Sequence, residues 1–126
     1  MNVEENKTVI RRLLRDGLAK QDRGVLDELI AAPHVREEWE RKFAAFPDLE
    51  LRAEHMIGEG DEVWTRGVFR ATHAGDFGSY MATGRSVELP YMDWWIVRDG
   101  RVVDNWGVWS SGLLIRPHAE ASPTEK

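Results

Sequence analysis

The run Tyr91-Met92-Asp93-Trp94-Trp95-Ile96-Val97-Arg98-Asp99-Gly100-Arg101-Val102-Val103-Asp104-Asn105-Trp106-Gly107-Val108-Trp109 decides the fold. At its centre, Asp99 and Gly100 both tolerate the positive φ of a type I′ turn, so 86–97 and 101–110 are predicted to pair as a hairpin. Side chains alternate between faces along a strand. Tyr91, Asp93 and Trp95 therefore share one face, and Met92, Trp94 and Ile96 share the other. A sheet with one solvated face alternates apolar with polar residues. Here both faces are apolar, so both must be covered. The helices upstream take one face, and a second copy of the chain is the expected cover for the other. That predicts a homodimer through the sheet, with Trp94 and Trp106 at the interface.

Upstream of the hairpin, 62–73 reads as a long strand and 49–57 as another, joined by Gly58-Glu59-Gly60-Asp61. The segment 74–85, with Gly75, Gly78 and Gly84, reads as a loop. Before Pro47 the period becomes helical. Ile10, Leu13, Leu14 and Leu18 form one stripe, opened by an Asn2-x-x-Glu5 capping pattern. A break at 21–24 follows, then a short helix carrying Val25, Leu26, Leu29 and Ile30, which Pro33 is expected to close. Trp39, Phe43 and Phe46 mark a third helix ending at Pro47. Helices followed by strands give the α+β class: three N-terminal helices on one face of an antiparallel sheet of about four strands. One domain is expected over 1–116, with a frayed polar tail at 117–126.

Composition narrows the function. The 126 residues suit one domain, and 17 basic against 22 acidic residues leave a net charge of −5. With no cysteine, disulfides, Cys-ligated zinc, iron–sulfur clusters and thiol nucleophiles are excluded. The negative balance and the lack of a Lys/Arg run argue against nucleic acid as the main partner. No apolar run approaches the roughly 20 residues that span a bilayer. The N-terminus has no apolar signal region, so a cytoplasmic, membrane-free protein is expected. His34-x-x-Glu37-Glu38 is too weak a pattern for a metal site, and no serine sits in a nucleophile elbow. Neither metal nor cofactor is expected.

Three stretches carry a family resemblance: Phe69-Arg70-Ala71-Thr72-His73-Ala74-Gly75-Asp76-Phe77, Ala82-Thr83-Gly84-Arg85-Ser86-Val87, and Ile96 through Trp106. Together with the opening helices and Phe46-Pro47-Asp48-Leu49, they resemble the SnoaL-like polyketide (ester) cyclases of the NTF2-like superfamily. The resemblance covers the chain up to about residue 112. It implies a cone-shaped α+β fold, a curved sheet closed by helices over a deep apolar pocket, and dimers formed through the sheet. It also implies cofactor-free acid/base chemistry, such as intramolecular aldol cyclisation, with isomerases, dehydratases and non-catalytic proteins in the wider superfamily. Such cyclases carry His-Trp-Asp on the last strand, the Asp being the acid/base. The matching residues here are Asn105-Trp106-Gly107, so that carboxylate is missing. A binding protein without catalysis is accordingly the alternative to an enzyme. The stretch between the second helix and Phe46 is also shorter than in the family.

Asp93 is the foremost candidate for chemistry. Its strand resembles the one in ketosteroid isomerases that carries a protonated Asp as donor to an enolate. A carboxyl dried by tryptophans disfavours its charged form, so its pKa should rise and suit proton transfer to or from a carbonyl compound. The competing interpretation is a structural buried acid. His73, matching the family's Thr-His-x-Gly, is the second catalytic candidate, either shuttling a proton or anchoring its loop. Trp95, Trp109, Asn105 and Tyr91 fall on the Asp93 face. With Tyr80 and Trp39 they are the candidate ligand-binding residues for an apolar small molecule, which aromatic walls suit. For any single tryptophan, plain core packing without a ligand is the favoured reading. His34 reads as a surface residue, His55 as a strand residue near the sheet edge and His118 as part of the tail, none of the three with a role.

Overall fold

The computed structural model describes residues 2–109. The domain boundary expected at 116 and the tail at 117–126 lie outside the described residues. Three helical segments lead into a four-stranded antiparallel sheet of order β1-β2-β3-β4, a simple meander curved into a cone. Helix α1 spans Val3–Arg12, α2 Arg23–Leu29 and α3 Pro33–Ala45. The strands are β1 Glu50–Glu59, β2 Glu62–Thr72, β3 Ser86–Arg98 and β4 Arg101–Trp109.

Asn2 and Glu5 form the anticipated reciprocal cap: Glu5 N donates to Asn2 Oδ1 at 2.8 Å and Asn2 N to Glu5 Oε1 at 2.9 Å. The same helix departs from expectation further on. It continues without a break into a π-helical segment, Leu13–Ala19. Bonding five residues apart brings Leu13 and Leu18 onto the same side, and both are fully buried. Gly17 lets α2 approach, since a Cβ there would meet Leu26 Cδ2 at 3.1 Å.

Pro33 does not close α2. That helix ends at Leu29, Ile30 bridges in parallel to Val102, and Ala31 N donates to Val102 O at 2.8 Å. Pro33 instead opens α3, where its missing N–H costs nothing and its fixed φ suits the first turn.

In the decisive hairpin, Asp99 (φ 50°) and Gly100 (φ 76°) both adopt the left-handed conformation that the turn requires. Register shifts at Ala53/His55 and at Ile96/Val97 add local twist and help curl the sheet. Its concave face packs on the helices around Trp39, Phe46, Phe69, Leu89, Trp95 and Val97. On the other face one row crosses all four strands, Ile57–Trp64–Trp94–Trp106, with neighbouring indole centroids 6.0 Å apart. Trp106 is 73% exposed and Ile57 65%. Among the described residues, no helix is long and apolar enough to cross a membrane.

Candidate active site

Asp93 sits in the middle of β3, opposite Thr65 of β2 and Gly107 of β4. Strand parity turns its carboxyl into the cone, where it is 5% exposed. It borders a cavity of about 160 Å³. Leu51, Phe69, Phe77 and Trp109 supply an apolar wall, and Glu38, Lys42 and Tyr91 supply polar atoms beside Asp93. Trp109 reaches the cavity because it pairs with Tyr91 across the hairpin. Phe69 and Phe77 hold it edge-on, at centroid distances of 4.8 and 5.3 Å.

Gly107 makes room for the carboxyl. A Cβ built on it would overlap Asp93 Oδ1 outright and lie 3.3 Å from Cγ. The space beside Gly107 is thus taken up by the carboxyl of its cross-strand neighbour.

Burial pushes the Asp93 carboxyl up to about 6, against the opposing pull of the Lys42 ammonium and a hydrogen bond from Asn105. A carboxyl raised this far exchanges its proton near neutral pH, where it can act as an acid or as a base. The positive charge of the lysine restrains the rise that dryness alone would cause. The Tyr91 hydroxyl is held up at about 12, chiefly by burial, against the opposing pull of the Thr65 side chain.

The residues singled out from sequence fall into two groups. Asp93, Tyr91, Trp109 and Trp39 meet at the cavity. Trp95 does not line it. Its indole lies under Trp39, stacked at 6.0 Å with 12° between planes, and forms the layer beneath the wall. Asn105 also sits behind that wall. Its Oδ1 accepts from Trp39 Nε1 at 2.9 Å and its Nδ2 donates to Trp94 O at 3.0 Å, which fixes the Trp39 ring. His73 is absent from the lining. It is fully buried, stacked on Phe46 at 5.2 Å, with Nδ1 3.3 Å from Thr83 Oγ1. Its main chain pairs with Arg85 O and Gly84 N, so the structure places it as an anchor of the 74–85 loop. Tyr80 pairs through its backbone with Phe77 and so positions that ring at the cavity. His34 is on the surface beside Asp104, at 3.1 Å.

Sequence reasoning missed Lys42 and Glu38. A signal was available: Lys42 stands three residues after Trp39 on the stripe that continues to Phe43 and Phe46, a basic residue on an apolar helix face. Among the described residues, no group of three or more His, Asp or Glu side chains is placed to hold a metal ion.

Residues 5–113 match the model of the SnoaL-like polyketide cyclase family, and the chain belongs to that family. Solved structures agree on the fold. A Jannaschia sp. CCS1 protein described as a SnoaL-like polyketide cyclase is 21% identical, with a TM-score of 0.79 over 96% of this chain and 95% of its own. A SnoaL-like polyketide cyclase of Agrobacterium tumefaciens, 19% identical, superposes with a TM-score of 0.74 over 89% and 94%. IdmH of Streptomyces antibioticus, described as a polyketide cyclase, is 26% identical, with a TM-score of 0.72 over 87% and 95%. A comparison with curated proteins returns no match.

Proposed function

We propose that this protein is a cofactor-independent acid/base enzyme of SnoaL type, acting on an apolar, carbonyl-bearing small molecule by cyclisation, isomerisation or dehydration. The observation that carries this reading is a dry carboxyl with a pKa of about 6 at the edge of an aromatic cavity. A base titrating near the working pH combines a large ionised fraction with useful basicity. Asp93 removes a proton from the carbon next to the carbonyl and returns it elsewhere on the product. The cavity, at about 160 Å³, is comparable to an engineered cavity of about 150 Å³ that takes up benzene. One ring of the substrate fits inside, and the remainder extends through the open side.

Hydrogen–deuterium exchange at the methyl group of acetophenone, followed by NMR, tests this without knowledge of the natural substrate. Exchange should accelerate with enzyme and rise with pH through a midpoint near the Asp93 value of about 6. A flat pH profile, or no acceleration, counts against acid/base catalysis. Gly107, standing where the family's Asp is expected, favours the second reading of a non-catalytic small-molecule binder. Trp39 and Trp109 border the cavity, so ligand binding should quench tryptophan fluorescence. Quenching without exchange supports the binder.

The same reading includes a homodimer formed through the back of the sheet. The exposed row of Ile57, Trp64 and Trp106 with Met92 and Val108 supports it, because contiguous apolar patches of this kind mark contact surfaces. Sedimentation at micromolar concentration is expected to give twice the chain mass. Trp106→Glu should yield a folded monomer, and a wild-type monomer removes the dimer.

A further inference from the structure

Lys42 has no part in the acid/base reading beyond its field on Asp93, yet its setting is unlike that of the other described lysines. Lys7 lies 3.5 Å from Glu4 and Lys20 lies 3.4 Å from Asp16. Among the described residues, Lys42 has no carboxylate within 4.0 Å. Its Nζ instead sits 4.0 Å above the centre of the Trp39 ring, half-buried and bordering the cavity that holds Asp93. The charged groups around it are Glu38 and Arg41 on its own helix and Asp93 facing it from β3, with the Tyr91 phenol on that strand. Glu38 is drawn away to Arg41, with which it forms an ion pair.

We propose that the Lys42 amine is a nucleophile, forming an imine with the carbonyl group of an aldehyde or unhindered ketone bound in the Asp93 cavity. This rests on the proposed function and narrows its substrate class to carbonyl compounds open enough to condense with an amine. Attack of the neutral amine on the carbonyl carbon gives a carbinolamine, and loss of water gives the protonated imine. Asp93, when protonated, supplies the proton that leaves with the hydroxyl. The positive charge created on nitrogen then lies over the Trp39 face, which stabilises a cation there. The iminium acidifies the neighbouring C–H, and the Asp93 carboxylate removes that proton. Water later hydrolyses the product imine and returns the free amine. Desolvation, which favours the neutral amine, lowers the Lys42 pKa and works in the same direction.

Reductive trapping tests the step. The full-length protein is incubated with benzaldehyde and cyanoborohydride at neutral pH, and benzylated lysines are mapped by peptide mass spectrometry. Lys42 is expected to label at least about tenfold faster than Lys7 and Lys20, as a desolvated amine beside a proton donor should. Lys42→Arg and Lys42→Met, with wild-type circular dichroism, should lose that fast adduct, and Asp93→Asn should slow it. Labelling of Lys42 no faster than of the other lysines overturns the proposal. So does full acetophenone exchange by Lys42→Met. In either case the proposed function stands if Asp93→Asn still abolishes exchange. Survival of exchange in Asp93→Asn removes that function instead.

Discussion

Asp93→Asn is expected to lose acetophenone exchange by roughly 10²- to 10⁴-fold, the usual contribution of a positioned general base. The same variant is expected to be more stable than wild type at pH 8. The carboxyl titrates at about 6 in the folded chain against an ordinary value of 3.8. Between those values the folded state holds a proton that the unfolded state has released. Stability from Asp93 is therefore fully present below about 3.8 and declines as pH rises through 6. That gap corresponds to roughly 3 kcal/mol. Asparagine avoids this cost, although Lys42 then lacks its facing charge, which returns part of the gain. The net stabilisation should be about 1–3 kcal/mol at pH 8 and shrink towards zero near pH 4. Urea unfolding of both proteins at the two pH values measures it. The comparison is needed because other carboxylates act in the opposite sense. Asp16, held at about 2 by Arg15, and Asp48, held down by Thr72, lose favourable interactions as pH falls. Equal activity of the two proteins removes Asp93 from the mechanism. An asparagine variant less stable at pH 8 marks it as a structural acid.

Strand positions were legible because a period of two and a glycine-containing turn are local signals. The hairpin at Asp99-Gly100, and the division of β3 into an inward Tyr91–Asp93–Trp95 face and an outward Met92–Trp94–Ile96 face, follow from alternation alone. Inward orientation, however, does not separate the cavity wall from the layer behind it. Trp95 and Trp109 share parity, yet Trp39 covers the first and the sheet's open end leaves the second at the cavity. That difference depends on where α3 crosses the sheet, which no local pattern encodes. His73 shows the same limit. A histidine opening a glycine-containing loop fits either a proton shuttle or a loop anchor in sequence, and its burial under Phe46 depends on where the end of α3 falls. The π-helical turn at Leu13–Ala19 went unread because the spacing of its leucines also satisfies an α-helix.

Gly107→Ala should destabilise the protein by about 2 kcal/mol and depress exchange at least tenfold, because the new methyl group and the Asp93 carboxyl require the same space. The backbone itself does not oppose alanine: Gly107 lies in a regular part of β4 with no positive φ. In a strand, alanine in place of glycine is worth about 0.5–1 kcal/mol in lower chain entropy. Any loss must then come from the clash, and an Asp93→Ala background should abolish it. In that background Gly107→Ala is expected to be neutral or mildly stabilising, so the double-mutant cycle should show a coupling of about 2 kcal/mol between directly paired residues. The resemblance places the family's acid at 107, while this chain directs one into the same volume from 93, across a single rung of the ladder. Two carboxyls cannot share that volume. Gly107 therefore leaves free the volume that the inward-facing Asp93 carboxyl occupies. Equal cost of Gly107→Ala in both backgrounds, with exchange unaffected, would show that the carboxyl moves aside freely and that its position carries no chemistry.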